Sequence, residues 1–149
     1  MLHLSRCLGC LVLLLPTLAL AAPRVLDLPG PDKAALLAED HARDDGGPER
    51  FAWPHDLSLS PDDGAGWDRR PDGSHRWRLE IRAPGALSLN LGFSRFRLPW
   101  GGELRLSGER GPDRVFTAAD NRPHGQLWTP VVLGDRALLT LTVPAGHRD

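Results

Sequence analysis

Residues 115–135 read V-F-T-A-A-D-N-R-P-H-G-Q-L-W-T-P-V-V-L-G-D, and their turn residues divide the stretch into defined pieces. A short strand is predicted to end at Phe116-Thr117, because Asp120-Asn121 follows, and Asp and Asn favour turns through their own side chains. The segment Gly125–Pro130 and the pair Gly134-Asp135 then lead into an alternating strand. This order of strand, turn and strand is typical of a β-domain.

Alternating apolar residues continue the β pattern on both sides of this stretch. They form four series: Trp77, Leu79 and Ile81; Leu87, Leu89, Leu91 and Phe93; Leu104 and Leu106; and Ala137, Leu139, Leu141 and Val143. A period of two predicts half-buried strands. A first strand is predicted at 51–59, where Pro54 confines it to an edge or a bulge, and a turn at 108–111. The sequence predicts a mainly β fold, an antiparallel sandwich or jelly-roll-like domain over 49–149.

The first 21 residues differ from the rest and predict a secretory signal peptide. Arg6 gives a short positive region, and residues 7–20 give an apolar run. Small residues, Ala19, Ala21 and Ala22, surround the expected cleavage point after Ala21. The apolar run is shorter than the roughly 20 residues that span a bilayer. We therefore expect an exported protein, secreted or periplasmic, without a stable membrane anchor.

Both cysteines, Cys7 and Cys10, lie in this leader, so the exported domain is expected to fold without a disulfide. Residues 22–48 predict a leader segment with one short helix at 33–42, capped by Asp32, and a Gly/Pro linker. The formal net charge of the whole chain is -1. A chain with this charge has no basic field for nucleic acid, and one domain is expected after the leader.

The remaining polar and aromatic residues contain few candidates for a catalytic, metal or ligand site. No Gly-Asp-Ser-Gly-type nucleophile turn occurs, so no enzymatic activity is expected, and no residue pattern points to a cofactor. The scattered histidines lack metal-ligand spacing. Asp120 and Asn121 are expected to cap their own turn, with calcium coordination as the alternative. Trp67 and Trp100 are the pair that could form an exposed sugar-stacking platform, although packing of their rings is favoured.

The stretch 115–135 resembles the N-terminal pro-region of secreted bacterial lysyl-endopeptidase-like, trypsin-like serine proteases. The resemblance covers most of residues 34–149 and includes the segments Arg50–Ala52, Gly66-Trp67, Trp77–Leu79 and Gly101–Leu104. Its motif comprises Phe116, Thr117, Asp120, Asn121, Gly125, Leu127, Trp128, Thr129, Pro130, Gly134 and Asp135.

The resemblance implies a propeptide: a secreted, non-catalytic protease-associated domain of a serine protease precursor, whose partner is the cognate protease domain. Such a domain assists folding of the protease or inhibits it by contact. In similar precursors another strand and the catalytic domain follow Val143, so a truncated chain that lacks its last strand is expected. The alternative function is a secreted carbohydrate- or surface-binding accessory module of a hydrolase, with the exposure of Trp67 and Trp100 as the discriminating feature.

Lysine is nearly absent from the chain. Lys33 is the only lysine, whereas arginine is frequent from Arg50 to Arg148. A domain without lysine would survive a lysine-specific protease partner, although a coding bias toward arginine explains the same pattern. Cleavage by such a protease is expected only near Lys33.

Overall fold

The computed structural model describes residues 22–30, 32–43, 52–63 and 66–147. The predicted signal peptide, with Ala19 and Ala21, lies outside the described residues. Ala22 is described and is exposed at the start of the first described segment.

The described residues form one α-helix and nine strands, together with two 3₁₀ turns. The helix is α1, Lys33–Ala42, and the 3₁₀ turns are Pro61–Asp63 and Ala118–Asp120. The strands are β1 Arg24–Asp27, β2 Trp67–Arg69, β3 His75–Arg82, β4 Ser88–Leu89, β5 Gly92–Phe93, β6 Glu103–Arg110, β7 Arg114–Thr117, β8 Leu127–Trp128 and β9 Val132–Val143. The predicted mainly β class is therefore confirmed.

Seven of the strands form one large sheet in the order β1-β3-β9-β6-β7, with β2 also paired to β3 and β4 also paired to β9. The longest strand, β9, lies at the centre and pairs antiparallel with β3, β4 and β6. A second sheet contains β5 and β8 alone. One pair differs from the antiparallel expectation, because β1 runs parallel to β3.

The alternation of apolar residues in β3 and β9 builds the core, as predicted. Trp77 lies opposite Leu141, and Leu79 lies opposite Leu139 in the antiparallel register. Successive side chains of a strand point to opposite faces, so these residues share one face of the large sheet. Leu106 of β6 is 1% exposed on the same face. Burying each such side chain stabilises the fold by about 1.5–3 kcal/mol.

A second layer covers this core face. It belongs to residues 87–98 and 121–134, which run antiparallel to each other and which we call the outer ribbon. One end of the ribbon, at β4 and the start of β9, is part of the large sheet, and the rest, with β5 and β8, forms the covering layer. Phe93 lies opposite Leu127 in its β5–β8 pair, and Phe96 contacts Phe116 of β7 edge to face, with 6.4 Å between ring centroids. The inner side chains of the ribbon belong to the same apolar cluster as Leu79.

The predicted strand Leu87–Phe93 is interrupted. β4 pairs with β9, whereas β5 pairs with β8. Asn90 separates β4 from the ribbon's next paired residue, Leu91, and two residues, Pro130 and Val131, lie across from it. One extra residue on one side is a bulge, and a bulge ends regular alternation. Leu87 is 86% exposed, so its predicted inward position is wrong.

Two further boundaries differ from the expectation. Residues 52–59 form no strand, and Phe51 lies outside the described residues. Pro54 offers no N–H for a sheet ladder, and the outer position beside β3 is taken by β1 and β2. The predicted turn at 108–111 is also displaced, because β6 continues to Arg110 through an irregularity after Gly108.

The predicted helix is confirmed with its cap. Asp32 accepts hydrogen bonds from the backbone N–H groups of Ala34 and Ala35 at 3.0 and 3.1 Å. No residue of α1 is buried. The helix therefore lies on the surface. Along the chain it follows β1 and precedes the other strands.

Candidate functional site

Asn121 connects the two segments of the outer ribbon. Its side-chain oxygen accepts a hydrogen bond from the Leu98 N–H at 2.9 Å, and its side-chain N–H donates to the Leu98 carbonyl at 2.9 Å. One amide side chain thus satisfies both backbone groups of Leu98, whose own side chain is buried. The pairing is structural but not local, because Leu98 lies 23 positions away along the chain, and it therefore differs from the capping of its own turn that was expected for the Asn121 side chain.

Asp120 is the last residue of the second 3₁₀ turn, and its side chain helps to cap the start of that turn. Its carboxylate accepts from the Thr117 N–H at 2.7 Å, and the Thr117 hydroxyl accepts from the Ala119 N–H at 3.3 Å. This reciprocal arrangement is a capping box. Calcium coordination by Asp120 and Asn121 stays a prediction, and within residues 22–30, 32–43, 52–63 and 66–147 no group of three His, Cys, Asp or Glu residues could hold a metal ion.

Other motif residues hold the backbone in place. Phe116 is buried and Leu127 is half-buried in the apolar cluster. Gly125 has a φ of 68°, and its carbonyl accepts from the Phe96 N–H at 2.6 Å. Gly134 has a φ of 106°, and a β-carbon there would overlap the carboxylate of Glu109.

Asp135 joins β9 to the loop that follows β3. Its carbonyl accepts a hydrogen bond from the Ala83 N–H at 2.8 Å, and its carboxylate accepts from the Gly85 N–H at 3.4 Å. The Asp135 N–H donates to Glu109 at 3.3 Å. Asp135 therefore acts through contacts with the backbone, at the point where the partner of β9 changes from β4 to β3.

Thr129 fixes the bulge of the outer ribbon and is 4% exposed. Its hydroxyl accepts from the Leu91 N–H at 3.1 Å, and its N–H donates to the Leu91 carbonyl at 2.9 Å. The Asn90 side-chain amide donates to the Thr129 carbonyl at 2.5 Å. A buried hydroxyl with its partners in place costs little, whereas an unpaired one would cost about 1–3 kcal/mol.

Trp128 and Pro130 are the motif residues that these structural roles do not explain, because both are exposed. Trp128 is 71% exposed. One face of its ring lies over Gly92, where a β-carbon would come within 2.8 Å of the ring. Gly92 thus permits the close approach, and the other face of the indole is open to solvent.

Trp67 and Trp100, the pair considered for a sugar-stacking platform, do not form one. Trp67 packs against the core cluster, and its indole N–H donates to the Pro61 carbonyl at 2.7 Å. Trp100 is 88% exposed beside Gly101, so the predicted packing of its ring is wrong. The glycine pair after Trp100 has no side chains that could enclose the ring.

Charges on the other face of the large sheet are paired. Arg76 contacts Asp68 at 2.8 Å, and Arg82 contacts Glu80 at 2.8 Å. The hydrogen bond from Arg82 lowers the pKa of Glu80 below its ordinary value. In the turn between β2 and β3, hydrogen bonds from Ser74 likewise lower the pKa of Asp72. This face presents neutralised charge to solvent.

None of the helices in the described part of the chain is long and apolar enough to cross a membrane.

The fold defines a class of protein: a mainly β domain in which most of the motif residues fix turns or join neighbouring backbone segments. Residues 60–149 match the family model described as the lysyl endopeptidase N-terminal domain. The chain belongs to this family. An N-terminal domain of a protease precursor fits a non-catalytic chain. No solved structure matches the chain.

Sequence reasoning missed the outer surface of the ribbon. Leu87 and Trp128 are exposed, as are Val131 and Leu133, although apolar residues at alternating or clustered positions predict burial. A compositional feature marks this surface in the sequence, because residues 87–98 and 121–134 contain arginine but neither Asp nor Glu.

Proposed function

We propose that this chain is a secreted, non-catalytic pro-domain, or the remnant of one, from a serine endopeptidase precursor. In this proposal it contacts the protease domain and either assists its folding or holds it inactive. The supporting observation is the extent of the family match, because residues 60–149 include every strand from β2 to β9.

Contact alone is sufficient for this role. Within one precursor, a flexible connection gives an effective concentration in the millimolar range, so even a weak interface stays occupied. Once the domain is supplied as a separate chain, that advantage is lost, and inhibition is expected to need about micromolar concentrations.

Export is part of the proposal. Residues 1–21 are expected to act as a Sec-type signal peptide, with Ala19 and Ala21 at the cleavage point. Expression in a bacterial host should place the protein outside the cytoplasm with Ala22 as its first residue, as read by N-terminal sequencing. A membrane-retained product that begins at Met1 would contradict the export proposal.

The decisive experiment uses a mature lysyl endopeptidase and the purified chain carrying Lys33→Arg. Lys33 is the only lysine, so this variant cannot compete as a substrate for a lysine-specific enzyme. Slower hydrolysis of a chromogenic lysyl peptide would then report binding. Refolding of the denatured protease with and without the chain measures assistance to folding.

A matched control is the same chain with Leu106→Asp added. Leu106 is 1% exposed, and a buried, unpaired carboxylate should unfold the domain. The folded variant should slow the protease or raise the refolding yield, and the unfolded control should do neither. Loss of both effects in the folded variant, together with binding to a polysaccharide, would overturn the proposal in favour of an accessory module.

A further inference from the structure

The outer ribbon has an apolar outer surface. Leu127, Thr129 and Val132 point toward the core, while the side chains between them reach solvent. Trp128 is 71%, Val131 57% and Leu133 49% exposed. These residues, with the exposed Pro130, form one short stretch of extended chain. We call Trp128, Pro130, Val131 and Leu133 the apolar stripe.

The register extends the apolar stripe across the ribbon. Ser88 pairs with Leu133 in β4 and β9, and the Gly134 N–H donates to the Leu87 carbonyl at 2.9 Å. Leu87, which is 86% exposed, therefore lies beside the Leu133 end of the stripe. Contiguous exposed apolar residues of this kind mark interaction sites on soluble proteins.

The charge of the ribbon is positive and unbalanced. Residues 87–98 and 121–134 contain no Asp or Glu, but they contain Arg95, Arg97 and Arg122. All three arginines are exposed, and none forms an ion pair within the described ranges. Arg97 and Arg122 flank the Leu98–Asn121 bridge in sequence, so the structure brings them to one end of the ribbon.

A small pit with apolar and cationic lining residues lies at the other end of the ribbon, beside Val131 and Leu133. Its volume is about 110 Å³, and it is lined by Val131 and Leu133 with Pro112, Arg110 and Arg114. An apolar cavity of about 150 Å³ holds a benzene ring, so this pit has room for one aliphatic side chain. Arg110 and Arg114 are exposed and lack ion pairs in the part of the chain that the structure describes.

The opposite face of the large sheet lacks this combination. There Arg105 contacts Glu103 at 2.9 Å and Asp113 at 3.4 Å, in line with the other paired charges of that face. An unpaired cation keeps its full attraction for an outside carboxylate, whereas a paired one has lost most of it. Among the described residues, the outer ribbon and the adjoining pit therefore bring together several arginines without ion pairs and exposed apolar side chains, a combination that favours an acidic, partly apolar partner.

We propose that the outer ribbon binds an acidic, partly apolar polypeptide surface of the protease domain. This assignment rests on the proposed function and names its contact surface. The apolar stripe would pack against apolar side chains, the pit would receive one aliphatic side chain, and carboxylates would lie against Arg97, Arg122, Arg110 and Arg114. A second copy of this chain is a poor occupant, because it would bring the same cations to the interface.

Charge reversal tests the assignment. Arg97→Glu and Arg122→Glu are made singly in the Lys33→Arg chain, and binding to immobilised mature lysyl endopeptidase is measured at low and high salt. Each reversal should weaken binding by about tenfold or more at low salt, since like charges across an interface are strongly unfavourable. The effect should shrink at high salt, because exposed charges are screened.

The matched control is Arg69→Glu. Arg69 is likewise exposed and lacks an ion pair among the described residues, but it belongs to β2, at the β3 side of the large sheet. This reversal should leave binding unchanged. Val131→Ser tests the apolar stripe without changing charge and should weaken binding at both salt concentrations. Far-UV spectra of all variants should match that of the parent chain.

The outcomes separate the two proposals. If the parent chain binds the protease and every variant binds it equally well, the ribbon is not the contact surface, and the proposed pro-domain function still stands. Absence of binding by the parent chain would overturn both. Variant-sensitive binding to anionic vesicles or an acidic polysaccharide, without binding to the protease, would identify a different partner class and also overturn the assignment.

Discussion

At the scale of single residues, the Asn121 side chain makes the two hydrogen bonds to the Leu98 backbone that a neighbouring strand would otherwise make. Arg97 and Leu98 are not part of a strand, yet the Leu98 backbone is satisfied because the Asn121 side chain offers a donor and an acceptor together. An Asp side chain at neutral pH would supply only acceptors. The identity of this residue, and not simply its polarity, therefore matters for the ribbon.

Asn121→Leu should destabilise the domain. The substitution leaves the N–H and carbonyl of a buried residue without partners, and each such group costs about 1–3 kcal/mol. We expect a loss of about 2–4 kcal/mol in the free energy of unfolding, measured by urea denaturation. Gln126→Ala, at an exposed neighbouring position, should change it by less than about 0.5 kcal/mol. Equal effects of the two substitutions would contradict the bridging role.

A comparison of Gly134 with Gly125 separates the cost of backbone strain from the cost of steric overlap with a neighbouring side chain. Both have positive φ, 106° and 68° respectively, but a β-carbon would meet Glu109 only at Gly134. Gly125→Ala should cost about 1 kcal/mol from backbone strain, and Gly134→Ala should cost more. Adding Glu109→Ala should recover part of the Gly134→Ala loss in urea denaturation. No recovery would show that the Glu109 side chain moves aside without cost.

Glu80 should contribute to the loss of stability in acid. Its pKa is lower in the folded state because Arg82 donates a hydrogen bond to the carboxylate. The contribution is complete above the unfolded pKa of about 4.3 and is lost as pH falls through the lower folded value. Glu80→Gln and Arg82→Gln should each make the decline below about pH 5 less steep. Thermal melts across this pH range measure the effect. An unchanged dependence of the melting temperature on pH in both variants would contradict the contribution of this pair.

At the scale of elements, regular alternation was sufficient to predict β3 and the second half of β9. Trp77, Leu79 and Ile81 lie on the core face as their spacing indicates. The strand β1 was missed because four residues, Arg24–Asp27, are too short for a pattern, and their pairing with β3 joins distant parts of the chain. The interrupted ribbon was missed for a similar reason, since Thr129 fixes the bulge from across the pair.

Cleavage at Lys33 tests the contribution of β1. A lysine-specific endopeptidase should cut only after Lys33, because Lys33 is the only lysine of the chain. The site should be accessible, since α1 has no buried residue and can fray. The released peptide should dissociate, since four paired residues bind weakly once the connection is lost. The remaining body should keep its β spectrum but unfold at lower urea concentration, because Leu26 leaves the core cluster. An unchanged midpoint, relative to the uncut Lys33→Arg chain, would contradict this prediction.

At the scale of the whole molecule, the sequence was more informative about scaffold than about surface. The role of Asp120 follows from turn chemistry that acts within a few residues, whereas the bridge from Asn121 to Leu98 joins two distant segments. The position of the Trp128 ring depends on Gly92, which lets the ring lie close against the backbone. The cationic ribbon depends on which arginines lack acidic neighbours in space. Such facts require the pairing of distant segments, which local patterns do not contain.

The central strand should decide whether the domain folds at all. Ending the chain at Val131 removes β9, the partner of β3, β4 and β6, and should abolish cooperative thermal unfolding in the far-UV spectrum. The chain cut at Lys33 serves as the control, because it loses only an edge strand and should still unfold cooperatively. A cooperative transition in the shortened chain would contradict the central role of β9.

The position of β9 also sets the order of events during biosynthesis. Each strand that pairs with β9 precedes it along the chain, so a polypeptide that emerges from the N-terminus onward has no template for its main sheet until residue 143 is released. Until then the earlier strands can make only the pairings β1–β3, β2–β3, β6–β7 and β5–β8. Small isolated pairings of this kind are marginal in water. If the chain is exported as proposed, this late closure would leave it extended while it passes through a narrow translocation pore, and compaction would begin only on the far side.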